Sequence, residues 1–416
     1  MFYTSLRGWY NRRTFHRTAP MGYIQGFRIK NYRLLKDVAL GSILTPAISA
    51  SESGVLPEQG EPLTPITVVI GRNGYGKSTL CDALGFMVDC LKSDAEQACI
   101  SRGGFDKIAS EGSDRIIELQ VRYENLLYTL CIAADEYNVP YVYAETLSHV
   151  SHTSSINFFV KNGEGKVLHP RRGETEDIQL VDKRRLVLST LGNLTGYPDI
   201  VAFREFLDSW YLCYFTPDAA RVSPLIGPQK HLSRTGNNLA NVIQYWEREH
   251  RDRLDDMRNR VLGKILGIQK IETHPTEDGR LLLRFFEQSE KPFYASQMSD
   301  GTLKLIAYLL LLGDPQPPPL ICFEEPENGL YHRLLESFVE EIRRHAEESG
   351  GAQFFITTHQ PYLVDALNPH EVWILDKGAD AFATVRRASS DPVVRNMVAE
   401  GMPLGALWFS EYLDEK

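Results

Sequence analysis

The stretch Gly71-Arg72-Asn73-Gly74-Tyr75-Gly76-Lys77-Ser78 fits the phosphate-binding pattern G-x-x-x-x-G-K-[ST]. The apolar, β-branched run at 65–70 precedes it and predicts a buried strand. Residues 79–86 follow it and predict the start of a helix. Because this pattern is meaningful only between a strand and a helix, the sequence predicts a P-loop here.

Each residue type in this loop has a physical task. Gly71, Gly74 and Gly76 let the backbone curl so that its N–H groups point at a phosphate, and the helix dipole adds to the attraction. Lys77 is expected to reach the β- and γ-phosphates, and the Ser78 hydroxyl to hold Mg²⁺. The predicted nucleotide-binding residues are Gly71, Arg72, Asn73, Gly74, Tyr75, Gly76, Lys77, Ser78 and Thr79.

Length and composition restrict the class of protein. The chain has 416 residues, which predicts one large α/β domain with an insertion or two domains, and 43% of them are hydrophobic, enough for a sizeable core. The net charge of −9 argues against a globally basic nucleic-acid-binding protein but allows a local basic groove. The six cysteines form no C-x-x-C pair, so we expect no metal site built from cysteines, and scattered thiols suit a reducing cytoplasm. We expect no membrane span, because no apolar run reaches roughly 18 residues.

The chain divides into four expected parts. Residues 1–20 form a basic extension, which has some features of a transit peptide but equally fits a flexible arm or a start at Met21. Residues 21–133 are expected to form an N-terminal lobe with the P-loop, residues 134–290 an insertion or helical lobe, and residues 291–416 a C-terminal lobe.

Periodicity predicts the elements of the first two lobes. Two short strands joined near Asn31 come first, followed by a loop at 43–64. The P-loop helix comes next, and a meander of β-strands follows it. Polar residues at 151–185 predict a loop, whose basic clusters are either solvated or bound to a phosphate backbone. The further predictions are strands at 115–123, 126–133 and 141–147, helical segments at 199–213 and 237–266 (the latter a helix pair), and two strands within 268–286.

The C-terminal third alternates strands and helices, which indicates a parallel sheet with ligands at the carboxyl ends of its strands. The predicted strands are 320–323, 353–357, 372–375 and 384–387, and the predicted helices are 303–312 and 334–349.

Three polar groups stand at the ends of these elements. The carboxylates of Glu324 and Glu325 end a buried strand, and neighbouring strand positions point in opposite directions, so we expect two different roles. Ser299 and Gly301 open the helix at 303–312, and His359 ends the next strand. Taken singly, each has a structural interpretation: a charged strand end that caps a helix, a helix N-cap and a structural histidine.

In combination these groups resemble the Walker B element, the signature sequence and the switch histidine of the ABC-type ATPases grouped with SMC, RecF and the OLD nucleases. The resemblance covers about residues 23–413 and is strongest in the Glu-Glu-Pro-Glu-Asn-Gly-Leu run at 324–330. Residues 27–33 and 234–240 also resemble segments of that group. Glu324 replaces the usual aspartate, and neither a Toprim domain nor a long coiled coil is recognisable.

The resemblance implies a fold, a ligand set and a mode of action. The fold is an α/β P-loop NTPase of ABC-ATPase type, with a mixed sheet flanked by helices and an α+β insertion between P-loop and signature. The cofactors are ATP and Mg²⁺, the metal being held by Ser78 and Glu324. Lys77, Glu325 as general base and His359 are the expected catalytic residues. Ser299, Asp300 and Gly301 would act in trans on the ATP of a second subunit.

The implied function is a nucleotide-gated dimeric clamp in a DNA-associated or anti-phage process. Its expected partners are a second copy or a higher homo-oligomer and a separate effector such as a nuclease or toxin. DNA is a further candidate partner, and no membrane is expected. Two alternatives are an ATP-stabilised scaffold that sequesters a toxin and, with less support, a transporter subunit. The Q-loop is not placed, because Gln97 and Gln120 both remain candidates.

Overall fold

A computed structural model describes residues 22–44, 58–150, 156–170, 172–260, 262, 267–288, 291–348 and 351–410. The basic extension and most of the loop predicted at 43–64 lie outside these residues. The strands are β1 Ile24–Tyr32, β2 Leu35–Gly41, β3 Ile43–Leu44, β4 Glu58–Gln59, β5 Ile66–Ile70, β6 Ile116–Tyr123, β7 Leu126–Ala134, β8 Pro140–His149, β9 Ile156–Lys161, β10 Glu164–His169, β11 Glu174–Gln179, β12 Tyr211–Cys213, β13 Lys270–Pro275, β14 Leu281–Phe286, β15 Phe293–Tyr294, β16 Leu320–Glu324, β17 Gln353–Thr358, β18 Val372–Lys377 and β19 Ala383–Arg387.

Helices connect and cover these strands. They are α1 Lys77–Lys92, α2 Ala95–Ile100, α3 Phe105–Ile108, α4 Val187–Leu191, α5 Pro198–Asp208, α6 Pro217–Arg221, α7 Leu239–Glu249, α8 Arg251–Met257, α9 Asp300–Leu312, α10 His332–Glu347, α11 Pro361–Asp365, α12 Pro392–Ala399 and α13 Leu404–Phe409. No helix in the described part of the chain is long and apolar enough to cross a membrane.

Two large sheets organise the chain. The first is antiparallel, with the strand order β11-β10-β9-β8-β7-β6-β1-β2. The second has the order β12-β16-β17-β5-β18-β19, in which only β19 runs antiparallel to its neighbour. This second sheet is the predicted mixed sheet, and the expected α/β fold class is confirmed.

Helix α1 lies between the two sheets. The side chains of β5 alternate between the two faces of its sheet and show which layer covers each face. Val69 of β5 faces the cluster that contains α1 and the antiparallel sheet, whereas Val68 and Ile70 face the opposite cluster. Helices α7, α9 and α10 cover that opposite face. Because β5 is buried on both faces, it reads in the sequence as a continuous apolar run.

The prediction of a loop at 151–185 was wrong for residues 156–179, while 151–155 and 171 lie outside the described residues. Strands β9, β10 and β11 extend the antiparallel sheet through this segment. Phe158, Val160 and Val167 are buried in its core, whereas Phe159, Lys161 and Lys166 are exposed. The apolar signal is weak because strands at the edge of a sheet bury little. Three of the basic side chains have acidic partners: Arg172 pairs with Glu176, and Arg184 and Arg185 pair with Asp182.

The helix predicted over 199–213 was too long. It ends at Asp208, and residues 211–213 form β12, which pairs in parallel with β16. This pairing is a long-range contact that helical periodicity cannot show. The helix pair predicted in 237–266 is confirmed over 239–257 by α7 and α8, and residues 261 and 263–266 lie outside the described residues. The strands predicted in 268–286 are confirmed by β13 and β14.

Candidate functional site

The carboxyl ends of three adjacent parallel strands bring the predicted site together. Glu324 of β16 is in register with Thr357 of β17, and Thr358 is in register with Ile70 of β5. The P-loop, the acidic pair and His359 therefore leave the same edge of the sheet. This is the edge at which open α/β sheets bind their ligands.

The P-loop has the backbone conformation that its glycines predict. Gly74 and Gly76 have φ angles of 81° and 107°, a left-handed region that favours glycine. Gly71 must be glycine for a different reason, which is lack of space: a Cβ there would lie 2.5 Å from the carbonyl oxygen of Leu375. The loop ends at the start of α1, whose first N–H groups have no carbonyl partner within the helix.

Lys77 links the P-loop to the acidic pair. Its side chain is only 4% exposed, and its ammonium group donates to the carbonyl oxygens of Gly71 at 2.9 Å and Arg72 at 3.3 Å. The same Nζ atom lies 3.5 Å from Oε1 of Glu325. Lys77 and Glu325 are 248 positions apart in the sequence, and only the fold brings them together.

Glu325 lies just past the end of β16 with a φ angle of 41°, which is strained for a residue other than glycine. Its Oε2 accepts a hydrogen bond from Nδ2 of Asn328 at 3.0 Å, and its Oε1 lies 3.3 Å from Nδ1 of His359. Burial raises the pKa of Glu325, but the hydrogen bond from Asn328 and the charges of Lys77 and His359 outweigh it and lower the pKa. Glu325 is therefore ionised at neutral pH and can accept a proton.

Glu327 is a residue of this site that the sequence analysis did not assign. Its side chain is buried, and Oε1 accepts hydrogen bonds from Oγ1 of Thr358 at 2.6 Å and from the backbone N–H of His359 at 3.0 Å. Nδ1 of His359 lies 3.4 Å from the same oxygen. Glu327 thus ties the loop after β16 to the end of β17. The only signal in the sequence is its place in the run at 324–330.

The signature residues lie at the start of α9. Ser299 caps this helix, its Oγ accepting from the N–H of Thr302 at 3.2 Å, and Asp300 pairs with Arg221 at 2.5 Å. Gly301 packs against the loop after β16, since a Cβ there would lie 2.3 Å from the carbonyl oxygen of Gly329. The signature is therefore in contact with the segment that follows the acidic pair.

The residues proposed for Mg²⁺ are oxygen donors, as this hard cation requires. Ser78 is exposed in the first turn of α1, and Glu324 is half-buried at the end of β16. No hydrogen bond joins these two side chains within the residues that the structure describes. Water, which Mg²⁺ commonly retains, can complete such a set of ligands.

Neither candidate for the Q-loop contacts this site. Gln97 is exposed on α2, where its N–H donates to Asp94. Gln120 is buried in β6 of the antiparallel sheet, where its amide atoms have no hydrogen-bond partner among the described residues.

Comparison with known proteins identifies a family for most of the chain. Residues 66–365 match the family described as "AAA domain, putative AbiEii toxin, Type IV TA system". The match covers more than half of the chain and includes the P-loop, the signature, the acidic pair and the switch histidine. No curated protein matches the chain.

Solved structures of SMC heads are similar at low identity. An SMC head bound to the C-winged helix domain of ScpA is 14% identical, with a TM-score of 0.49 and coverage of 88% of this chain and 97% of that chain. The SMC head domain from Thermotoga maritima is 13% identical, with a TM-score of 0.39 and coverage of 88% and 98%. The Pyrococcus furiosus SMC head with an extended coiled coil, bound to the C-terminal domain of ScpA, is 12% identical, with a TM-score of 0.46 and coverage of 91% and 100%.

Proposed function

We propose that this chain, which belongs to the family described as "AAA domain, putative AbiEii toxin, Type IV TA system", hydrolyses ATP. We further propose that it works as a nucleotide-gated dimeric clamp. One observation carries the proposal. Oε1 of Glu325 lies 3.5 Å from Nζ of Lys77 and 3.3 Å from Nδ1 of His359. A cation, a carboxylate and an imidazole thus converge at the start of α1, where phosphate groups bind.

The roles of the residues follow from their chemistry. The residues from Gly71 to Thr79 bind the phosphates. When ATP binds, Lys77 leaves the loop carbonyls and Glu325 and contacts phosphate oxygens instead. Ser78 and Glu324 would hold Mg²⁺, which would supply positive charge to neutralise the phosphates. Glu325, freed from Lys77, accepts a proton from the attacking water. His359 faces the same place as a hydrogen-bond donor to the transferred phosphoryl group.

The signature supports a clamp made of two copies. Ser299, Asp300 and Gly301 lie at the N-terminus of the thirteen-residue helix α9, where a dipole favours an anion. We propose that this terminus contacts the ATP held by the P-loop of the partner copy. ATP then closes the dimer and hydrolysis opens it.

The four parts expected from the sequence, 1–20, 21–133, 134–290 and 291–416, remain our proposal for the arrangement of each copy.

The family description points to a biological role in toxin–antitoxin or defence systems. We propose a cytoplasmic ATPase that controls a separate effector, such as a nuclease or toxin, with DNA as a possible further partner. The second candidate is a scaffold that binds ATP without turning it over and sequesters a toxin. Both candidates require ATP to displace Lys77 from the carbonyl oxygens of Gly71 and Arg72, so the rate of turnover is what distinguishes them.

The Glu325→Gln variant tests the proposal. The substitution keeps the size of the side chain but removes the base, so we expect ATP binding to persist and turnover to fall by about 10²- to 10⁴-fold. The variant should also accumulate with ATP as a species of twice 47.2 kDa, measured by light scattering coupled to gel filtration. The matched control is Glu340→Gln on the exposed face of α10, which should behave as wild type.

Two results would contradict parts of this proposal. If Glu325→Gln turns over ATP as fast as wild type, Glu325 is not the general base. An assembly whose mass does not respond to ATP, in both wild type and variant, would support the scaffold instead of the clamp.

A further inference from the structure

Two cysteines of the core have their sulfur atoms in contact. Cys81 lies on α1 and Cys322 on β16, and each is only 2% exposed. Both are free thiols, and the thiol of Cys322 donates a hydrogen bond to Sγ of Cys81 at 3.2 Å. A disulfide bond joins two sulfur atoms at about 2.0 Å, so an approach of about 1.2 Å would allow this pair to bond.

The pair lies between the two segments that carry the candidate site. Cys81 follows Lys77 by one turn of α1, and Cys322 precedes Glu324 by two positions on the same side of β16. A bond between the two sulfur atoms would therefore draw α1 and β16 together close to the P-loop and the acidic pair. The lysine and the carboxylates would shift relative to each other by up to about 1 Å, the amount by which the sulfur atoms must approach.

Tyr214 marks a route from solvent to this pair. Its side chain is 39% exposed, and a Cβ on Gly85 would lie 3.1 Å from its hydroxyl oxygen. Gly85 follows Cys81 by one turn on the same face of α1. Burial raises the pKa of the Tyr214 hydroxyl, and the neighbouring thiols of Cys322 and Cys81 raise it further. The phenol group of a surface residue thus lies close to both sulfur atoms.

We infer that Cys81 and Cys322 form a redox-sensitive modification site, at which a peroxide converts the two thiols into a disulfide and a dithiol restores them. Buried thiols are ordinarily inert, and here Tyr214 must swing outward to admit a molecule as small as hydrogen peroxide. Formation of the disulfide does not depend on the proposed function. Its effect on turnover does, because that effect acts on the ATP site.

The oxidation takes place in two steps, with hydrogen peroxide as the oxidant. The sulfur of Cys81 attacks one peroxide oxygen and the O–O bond breaks, which leaves a sulfenic acid on Cys81 and releases hydroxide, which becomes water with the proton of that thiol. The sulfur of Cys322 then attacks Sγ of Cys81, the S–O bond breaks, and the second water leaves with the proton of Cys322. Two thiols lose two electrons and two protons in total, and one peroxide becomes two waters.

Mass spectrometry of the full-length protein tests the modification directly. The protein is treated with hydrogen peroxide, unfolded in an alkylating reagent that blocks free thiols, and digested. We expect a peptide that links Cys81 to Cys322, with the loss of two hydrogen atoms per chain, and we expect dithiothreitol to reverse both. This measurement needs no ATPase activity, so it stays informative if the proposed function fails.

Turnover measured on the same samples tests the consequence. A misplacement of about 1 Å in a catalytic site costs about 10²-fold in rate, so we expect the oxidised protein to lose about that factor and to regain it with dithiothreitol. Cys81→Ala and Cys322→Ala cannot form the bond and should keep their rate in peroxide. The matched control is Cys131→Ala, which removes a half-buried thiol on β7 and should respond as wild type does.

Tyr214→Ala tests the route to the sulfur atoms. Without the phenol ring, peroxide should form the linked peptide severalfold faster than in wild type. An unchanged rate would overturn this route.

Three results would overturn the modification site or its effect. If both thiols stay free in peroxide while Cys131 is oxidised, the pair is not a modification site. If Cys81→Ala and Cys322→Ala lose turnover in peroxide as wild type does, the loss arises elsewhere in the protein. A linked peptide with unchanged turnover would show a disulfide that does not act on the ATP site.

Discussion

The carboxyl group of Glu145 allows a direct test of how burial acts in this protein. Glu145 lies on β8, is 0% exposed, and accepts hydrogen bonds from the hydroxyl of Tyr128 at 2.9 Å and from the N–H groups of Leu188 at 3.0 Å and Val187 at 2.5 Å. Burial raises the pKa of this carboxyl group to about 7, because the loss of water outweighs the three donors.

The sign of the pH dependence follows from this shift. In the unfolded chain the group titrates near 4.5, so between pH 4.5 and about 7 the folded protein binds more protons than the unfolded one. The free energy of unfolding therefore falls as the pH rises through this window. The full shift corresponds to about 3 kcal/mol at about 1.4 kcal/mol per pKa unit.

The assay compares wild type with Glu145→Gln, which cannot titrate, by denaturant unfolding at about pH 5 and about pH 8. Groups present in both proteins cancel in the difference. We expect wild type to lose about 2 to 3 kcal/mol relative to the variant over this range. The exposed Glu340→Gln serves as the control and should show a constant difference from wild type. A constant difference for Glu145→Gln, or the opposite slope, would show that the three donors outweigh burial.

Two further substitutions test close packing and buried hydrogen bonds. Gly301→Ala would place a Cβ 2.3 Å from the carbonyl oxygen of Gly329, so we expect about 1–3 kcal/mol of destabilisation and a weaker ATP-dependent dimer, whereas Gly196→Ala has open space and should be neutral. Gln353→Leu removes three hydrogen bonds, to Ile24 of β1 and to Thr64 just before β5. The free energy of unfolding, measured with denaturant, should fall by about 2–4 kcal/mol. For the exposed Gln97→Leu it should change by less than about 0.5 kcal/mol. Equal effects within either pair would contradict the assignment.

The elements of the site could be predicted because each carries a local signal. The P-loop is recognisable from its glycine spacing between a strand and a helix, and the Ser299 cap from its place before an apolar run. The carboxylates after β16 follow a fully apolar strand. In each case residues within about ten positions of one another determine the conformation.

Other residues of the site carry no local signal. Glu327 is one of three acidic residues within four positions, and the sequence does not show that it alone is buried against Thr358 and His359. Lys304 interrupts an apolar helix and would pass for a solvent-exposed residue, yet the fold buries it. Edge strands such as β11 are polar on both faces, so their composition is that of a loop.

The order of amino acids therefore specifies the phosphate-binding loop, the helix caps and the apolar strands, since short-range sterics and periodicity dictate them. Only packing decides that β5 lies between β17 and β18, although about 300 positions separate these strands in the chain. That arrangement brings both Lys77 and His359 within ion-pairing range of Glu325. It arises because both faces of β5 must be removed from water, and the free energy of that burial depends on the whole core rather than on any one segment.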